Sequence, residues 1–300
     1  MKLGLIEDMS SEEYHGMAGS YSSSQLKDIS EDPEYFHKKY ILKEIEREEN
    51  SVFDIGSFFH TSILEPHKIK SECAVYKGIR RGKEWDAFKE ANKGKAIITE
   101  SESSQAETLV KAVKNSSIAM GRISRGKPEV SAFTELIITG SEIYSPKKLV
   151  LGKYGWEKVT SVPNGTKIIV KVRADLLGDS FILDLKSTGG NTKSENAMRQ
   201  KVSAYNYDLS AALYLDIFSE VTGRDYNEFI WTFASKDWGN SKSYVASSDN
   251  IQIGRVKYKK AILNLGNCIK NNWKFEDSLG ILNPQMFELE HLKQRAEDLL

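Results

Sequence analysis

Only 2 of the 300 residues are cysteine, Cys73 and Cys268. They stand far apart with no CxxC pair, which excludes a zinc ribbon or a four-cysteine iron–sulfur cluster within one chain. Such sparse usage predicts reduced thiols in a cytoplasmic protein. Net charge is missing too, because 42 Lys and Arg balance 42 Asp and Glu. No global field therefore advertises a nucleic-acid partner, and any such surface is local. Proline is scarce at 6 residues, and no Pro/Ser linker, low-complexity tract or internal repeat divides the chain. No apolar run reaches membrane-spanning length, and "MKLGLIEDMSSEEY" lacks the basic start and apolar stretch of a leader. What remains, 40% hydrophobic and 28% charged, predicts one domain over residues 1–300 with a sizeable core and no membrane partner.

The pattern of elements changes along the chain. Serines 22–24 and Asp32-Pro33 predict two helix starts. "FDIGSFFHTSILEP" reads as a buried helix ended by Pro66, and residues 100–116 as an amphipathic helix with caps. From about residue 129, "EVSAFTELII", "TKIIVKVRADLL" and "SFILDLKST" read as a strand meander. A helix over 194–222 ending at Gly223, a strand "EFIWTFASK" and a helix over 249–272 follow. Strands interleaved with helices predict an α/β fold, a central mixed sheet flanked by helices, with a helical N-terminal part over 1–120. Residues 121–280 form the core of that scheme and 281–300 a tail. Two basic stretches are candidate nucleic-acid surfaces: residues 68–95, with nine Lys/Arg against four Asp/Glu, and "RVKYKK" at 255–260.

The stretch "KIIVKVRADLLGDSFILDLKST", residues 167–188, carries charge inside strands that would otherwise bury well. A two-residue turn at Gly178-Asp179 makes it a hairpin in which Asp175 faces Ile182 and Arg173 faces Asp184. One face then holds Lys171, Arg173, Asp175, Ile182, Asp184 and Lys186, and the other is wholly apolar. Two readings stay open at this point. The hairpin has a solvated charged face, or Asp175 and Asp184 hold a hard divalent cation with Lys186 beside it. Glu129 starts a neighbouring strand and is either solvated or part of that shell. His60, at the end of "GSFFH", is either a satisfied core residue or an imidazole ligand. Tyr207, Ser210 and Tyr214 share one helix face, a spacing that most often means packing.

In order, "YSSSQLKDISEDPEYF", "GSFFHTSILEP", "GKPEVSAF", "VRADLL" and "ILDLKST" resemble the successive blocks of RecE-type phage and prophage exonucleases. These belong to the PD-(D/E)XK nuclease superfamily, and the resemblance runs from about residue 10 to 275. It implies a PD-(D/E)XK nuclease core, with Asp175 and Asp184 as the two motif acids and Lys186 as the motif lysine. It also implies that His60 and the Leu185 carbonyl complete the metal site, and that Glu129 is the upstream glutamate, serving a second ion or a water. Ser210 departs from the pattern: many relatives carry glutamine there, and the shorter serine needs a water to reach the same partner.

The resemblance further implies hydrolysis of linear double-stranded DNA in the bacterial cytoplasm, 5′ to 3′, with Mg²⁺ as cofactor and Mn²⁺ as substitute. A homo-oligomeric ring and a RecT-like single-strand annealing partner follow from it as well. For DNA contacts the candidates are Arg80, Arg81, Lys83 and a base-stacking Trp85, together with Arg173 and Ser210. Two alternatives are a DNA-binding protein that keeps the nuclease scaffold without cutting, and an endonuclease or single-strand nuclease of the same superfamily.

Overall fold

A computed structural model describes residues 3–45 and 51–275; the expected tail over 281–300 lies outside them. The chain opens with β1 (Gly4–Ile6), α1 (Ser11–Gly16), β2 (Ser20–Tyr21), α2 (Ser23–Glu31) and α3 (Pro33–Phe36). Ser22 caps α2 in a reciprocal box with Gln25, and Asp32 caps α3 with Pro33 at its first position, the arrangement that orphan N–H groups at a helix start require. α4 (Ser51–Leu64) ends before Pro66. α5 (Ile69–Glu72), β3 (Cys73–Tyr76), α6 (Gly82–Ala91) and β4 (Ala96–Thr99) follow, β3 and β4 pairing as a separate two-stranded parallel sheet. Thr99 and Glu102 box the start of α7 (Glu100–Lys114), and α8 (Ser117–Ile123) completes this part.

β5 (Lys127–Thr139), β6 (Glu142–Ser145), β7 (Leu149–Leu151), β8 (Trp156–Lys158), β9 (Thr166–Leu177) and β10 (Phe181–Thr188) form the meander. The crossover helices α9 (Glu195–Ala204) and α10 (Tyr207–Thr222) lead to β11 (Glu228–Ser235), β12 (Ser241–Val245) and α11 (Ser248–Lys270). The main sheet has ten strands in the order β12-β11-β10-β9-β5-β6-β7-β8, with β1 added on β5 and β2 on β9. β10 runs parallel to β11, as a helical crossover demands, and β2 runs parallel to β9. The fold is thus α/β with a mixed central sheet. The largely helical N-terminal part is woven into it through β1 and β2.

Two apolar clusters cover the sheet. One joins Val130, Val170, Val172, Ala174 and Ile182 to α2, α10 and α11 through Leu26, Leu209, Leu213 and Ile262. The other joins Leu176, Phe181, Leu183 and Leu185 to α4 and α7 through Phe59, Ile63 and Leu109. α11 lies against the start of α10 because Gly254 has no side chain; a Cβ there would come within 2.1 Å of the Asp208 carbonyl.

Three expectations need correction. The hairpin turn is Asp179-Ser180, not Gly178-Asp179: the Gly178 N–H donates to the Phe181 carbonyl, and Leu177 pairs with Ile182. This moves the register by two residues, so Asp175 continues toward Asp184 instead of facing Ile182. The hairpin also lacks a purely charged and a purely apolar face. Ala174 belongs to the first cluster, Leu176 to the second and Leu177 to the first again, so the alternation changes sides at Asp175. Finally, the helix expected over 194–222 is broken. Asn206 adopts a left-handed conformation, φ 49°, which asparagine tolerates better than most residues, and α10 restarts after it.

Candidate metal centre

The edge of the hairpin where pairing loosens is the place where acids converge. β5 pairs with β9 from Lys127↔Leu177 to Ile138↔Thr166, yet no pair forms at Glu129 and Asp175. Glu129 has φ 53°, a conformation costly for a non-glycine residue and concentrated at functional sites. The twist takes its carboxylate out of the strand pattern. His60 on α4, Glu129 on β5 and Asp175 on β9 then bring one ligand atom each within 4.8 Å of the others.

Hydrogen bonds fix this arrangement. The Leu185 N–H donates to Asp175 Oδ2 at 2.7 Å, and His60 Nε2 lies 3.1 Å from the Leu185 carbonyl. His60 Nδ1 is 3.5 Å from Asp175 Oδ2. Burial, aided by Lys186, pushes the His60 pKa down and keeps the ring neutral. A carbonyl only accepts, so the single ring proton belongs on Nε2, leaving the Nδ1 lone pair facing the acids. A histidine whose other nitrogen donates to a backbone carbonyl is the usual state of a metal ligand. Burial and the Asp184 charge raise the pKa of Asp175, and burial and Asp175 raise that of Glu129. Two carboxylates and an imidazole lone pair thus face one another at a cost that a cation would remove. The donor set, two hard oxygens and one nitrogen, suits a divalent cation.

Asp184 and Lys186 form the second half of the site. Lys186 Nζ sits 2.6 Å from Asp184 Oδ2 and 2.7 Å from Oδ1. Against burial, which alone would lower it, Asp184 and Asp175 hold the Lys186 pKa up, so the lysine is charged. Its ammonium stands 5.2 Å from the Tyr207 ring. Tyr214, on the same face of α10, has its phenol pushed up to about 12 by burial. Ser210 lies between these tyrosines on α10, half-buried.

Of the residues singled out in the sequence, the fold gathers His60, Glu129, Asp175 and the Leu185 carbonyl, with Asp184 and Lys186 beside them. Asp184 is turned onto Lys186 and is not one of the three converging donors. Arg173 pairs with Glu129, not with the Asp184 expected opposite it, and its Nη1 is a buried donor without an acceptor. Part of each basic stretch is spent on the fold. Arg80 forks onto Glu102 at 3.0 and 2.7 Å, donates to the Ile97 carbonyl at 2.6 Å and lies over the Trp85 ring. Trp85 packs on Tyr76, ring centroids 5.2 Å apart, so these two residues hold α6 on the small sheet. Arg81 and Lys83 are exposed at the start of α6. In "RVKYKK", Arg255 binds Asp216, Lys257 binds Asp208 and Lys259 binds Glu142.

Sequence reading missed Lys27. It reaches the Lys186 side of the site from α2, more than 150 positions away in the chain. No local pattern marks it, because a lysine in a capped surface helix is ordinarily solvated.

Comparisons with known proteins follow the same lines. Among curated proteins no sequence matches this one. A crystal structure of a "Putative exonuclease" from Eubacterium rectale aligns with a TM-score of 0.57 at 16% identity, covering 94% of this chain and 98% of that one. At that identity the likeness is one of fold. The crystal structure of SSO0001 aligns with a TM-score of only 0.26 at 15% identity, over 70% of this chain and 86% of that one. Residues 22–144 and 147–278 match the family model of the PDDEXK-like domain of unknown function (DUF3799), and the chain belongs to that family.

Proposed function

We propose that the protein is a metal-dependent exodeoxyribonuclease that degrades linear double-stranded DNA from the 5′ end, as the RecE-type resemblance implies. The observation that carries this reading is the convergence of His60, Glu129 and Asp175 on one point, with the Lys186–Asp184 pair alongside. His60, Glu129 and Asp175 would hold Mg²⁺ or Mn²⁺, with Asp184 and the Leu185 carbonyl as the further ligands that the resemblance suggests. The bound cation supplies positive charge to a phosphodiester and makes water more acidic.

The other residues act directly. Lys186 places a permanent charge next to the phosphate and neutralises what develops there during in-line attack. Asp184 holds that ammonium in place. The Leu185 N–H orients Asp175, and the Leu185 carbonyl orients the His60 ring, so the donors are set before substrate arrives. Arg173 holds Glu129. Its unused Nη1 offers a donor to the same carboxylate or to a phosphate oxygen. Exposed Arg81 and Lys83 remain as backbone contacts for the duplex. A homo-oligomeric ring and a RecT-like annealing partner belong to this proposal through the resemblance alone.

The test is nucleotide release from blunt linear duplexes labelled at the 5′ or the 3′ end, beside a closed circle, in Mg²⁺ and in EDTA. Release beginning at the 5′ end, absent on circles and abolished by EDTA, is expected. Cleavage of circles would make the protein an endonuclease. DNA binding with no cleavage in Mg²⁺ or Mn²⁺ would leave a binding protein on a nuclease scaffold.

A further inference from the structure

The break between α9 and α10 builds a feature that the metal centre does not need. Tyr205 ends α9 and Tyr207 begins α10, with the left-handed Asn206 between them. The turn stacks the two rings, centroids 5.5 Å apart and planes 24° from parallel. Lys257 fixes the turn by donating to Asn206 Oδ1 at 2.9 Å and to Asp208 at 2.8 Å. The inner ring, Tyr207, lies against Lys186. The outer ring, Tyr205, is 57% exposed.

Cations gather along this pair. Lys27 Nζ donates to the Tyr205 carbonyl at 3.0 Å and stands 5.4 Å from the Tyr207 ring, on which Lys186 also sits. Lys201 lies 6.0 Å from the Tyr205 ring. Lys186 has Asp184 as counter-charge, but among the described residues no carboxylate comes within ion-pair distance of Lys27. Leu26 and Ile29, both fully buried, anchor α2 on either side of it, so Lys27 cannot swing away with its helix. Burial and the neighbouring Lys186 push the Lys27 pKa down to about 8, although Asp184 and Asp208, beyond ion-pair distance, pull it the other way. A cation held in that position, next to another, is a place for an anion.

We propose that Lys27 and Tyr205 form a nucleotide subsite for the strand being cut, Lys27 binding the phosphate next to the scissile one and Tyr205 stacking its base. A charged groove lined by aromatic rings is how single strands are held without sequence preference. The order Lys186, Tyr207, Lys27, Tyr205, Lys201 leads from the metal centre to the surface, which suits a strand separated from its complement. That the neighbouring phosphate is the scissile one rests on the nuclease reading, while the affinity of the subsite for a nucleotide rests on Lys27 and Tyr205 themselves.

The experiment is fluorescence anisotropy of a labelled single-stranded oligonucleotide, with Ca²⁺ replacing Mg²⁺, across a salt series, beside hydrolysis in Mg²⁺. Lys27→Gln should raise the Kd about tenfold and lower the slope of log affinity against log salt by about 0.7, the loss of one phosphate contact to a single strand. Tyr205→Ala should raise the Kd about tenfold, within the range for one stacked base, and leave the slope alone. Lys27→Arg and Tyr205→Phe should restore binding, and Lys167→Gln, at the other end of β9, should not alter it. Unchanged affinity in both Lys27→Gln and Tyr205→Ala overturns the subsite even if wild-type protein cleaves DNA. Weaker binding with an unchanged salt slope in Lys27→Gln overturns it too, since it indicates a structural role. Loss of affinity as expected in a protein that never cleaves would sustain the subsite and sink the nuclease reading. No binding of the oligonucleotide by wild-type protein would sink the subsite alone, and hydrolysis in Mg²⁺ would still decide the nuclease reading.

Discussion

Asp175→Asn should lower metal-dependent DNA hydrolysis by about 10³-fold, more than the 10–100-fold typical of groups that merely support a metal ligand. Asp175 is the residue on which the other parts of the site depend. It accepts the Leu185 N–H, faces His60 Nδ1 and shares the centre with Glu129. Asparagine keeps its shape and can still accept that N–H, so the fold should survive. Without metal, the variant should be at least as stable as wild type. The folded-state pKa of Asp175 is raised by burial and by Asp184, so ionising it costs stability as pH rises, in full above the folded pKa. The neutral amide escapes that cost. What it should lose is the gain on adding cation, about 2.7 kcal/mol at a concentration 100 times the Kd. Thermal melts with and without Mn²⁺ check this, and a variant destabilised without metal would show Asp175 to be structural instead.

Lys186→Gln should lower the rate at saturating DNA by about 10²- to 10³-fold, the size expected when one charge-stabilising group is removed from a reacting centre. It should also cost stability, about 2 kcal/mol, because Asp184 would remain as a largely buried carboxylate without a counter-charge. The two effects separate in a double-mutant cycle. Adding Asp184→Asn removes the orphaned charge, so the double variant should regain most of the stability and none of the activity. If both return, Lys186 serves only to neutralise Asp184. Single-turnover rates and denaturant melts on the four proteins read both axes.

Much of the site was legible because its chemistry follows short-range rules. The separation of Asp175 from Asp184 and Lys186 is a property of two strands and a turn, and parity survives when the turn moves by one residue. The turn itself was misplaced because Gly178-Asp179 and Asp179-Ser180 are both competent two-residue loops; the Gly178–Phe181 closure that decides between them depends on packing of the Phe181 ring. The change of sides at Asp175 was not legible for a similar reason. It coincides with the left-handed Glu129 and the missing Glu129–Asp175 pair on the neighbouring strand, and no rule about single strands carries that information. Arg80 and the 255–260 stretch show the opposite failure. Basic residues were visible, but their partners Glu102, Asp208, Asp216 and Glu142 come from elsewhere in the chain. Charge counted along a sequence overstates charge left free after folding. Asn206 was a permissive residue inside a helical pattern, and only the break it allows brings Tyr205 onto Tyr207.

The central claim is that His60, Glu129 and Asp175 make one divalent-cation site. Its most direct test is a Mn²⁺ titration followed by electron paramagnetic resonance, on wild-type protein and on His60→Ala, Glu129→Gln and Asp175→Asn. The account predicts a saturable site competed by Mg²⁺, lost in Asp175→Asn and weakened in the other two. Wild-type protein that leaves Mn²⁺ free in solution, or an Asp175→Asn variant that binds it as tightly as wild type, would contradict it.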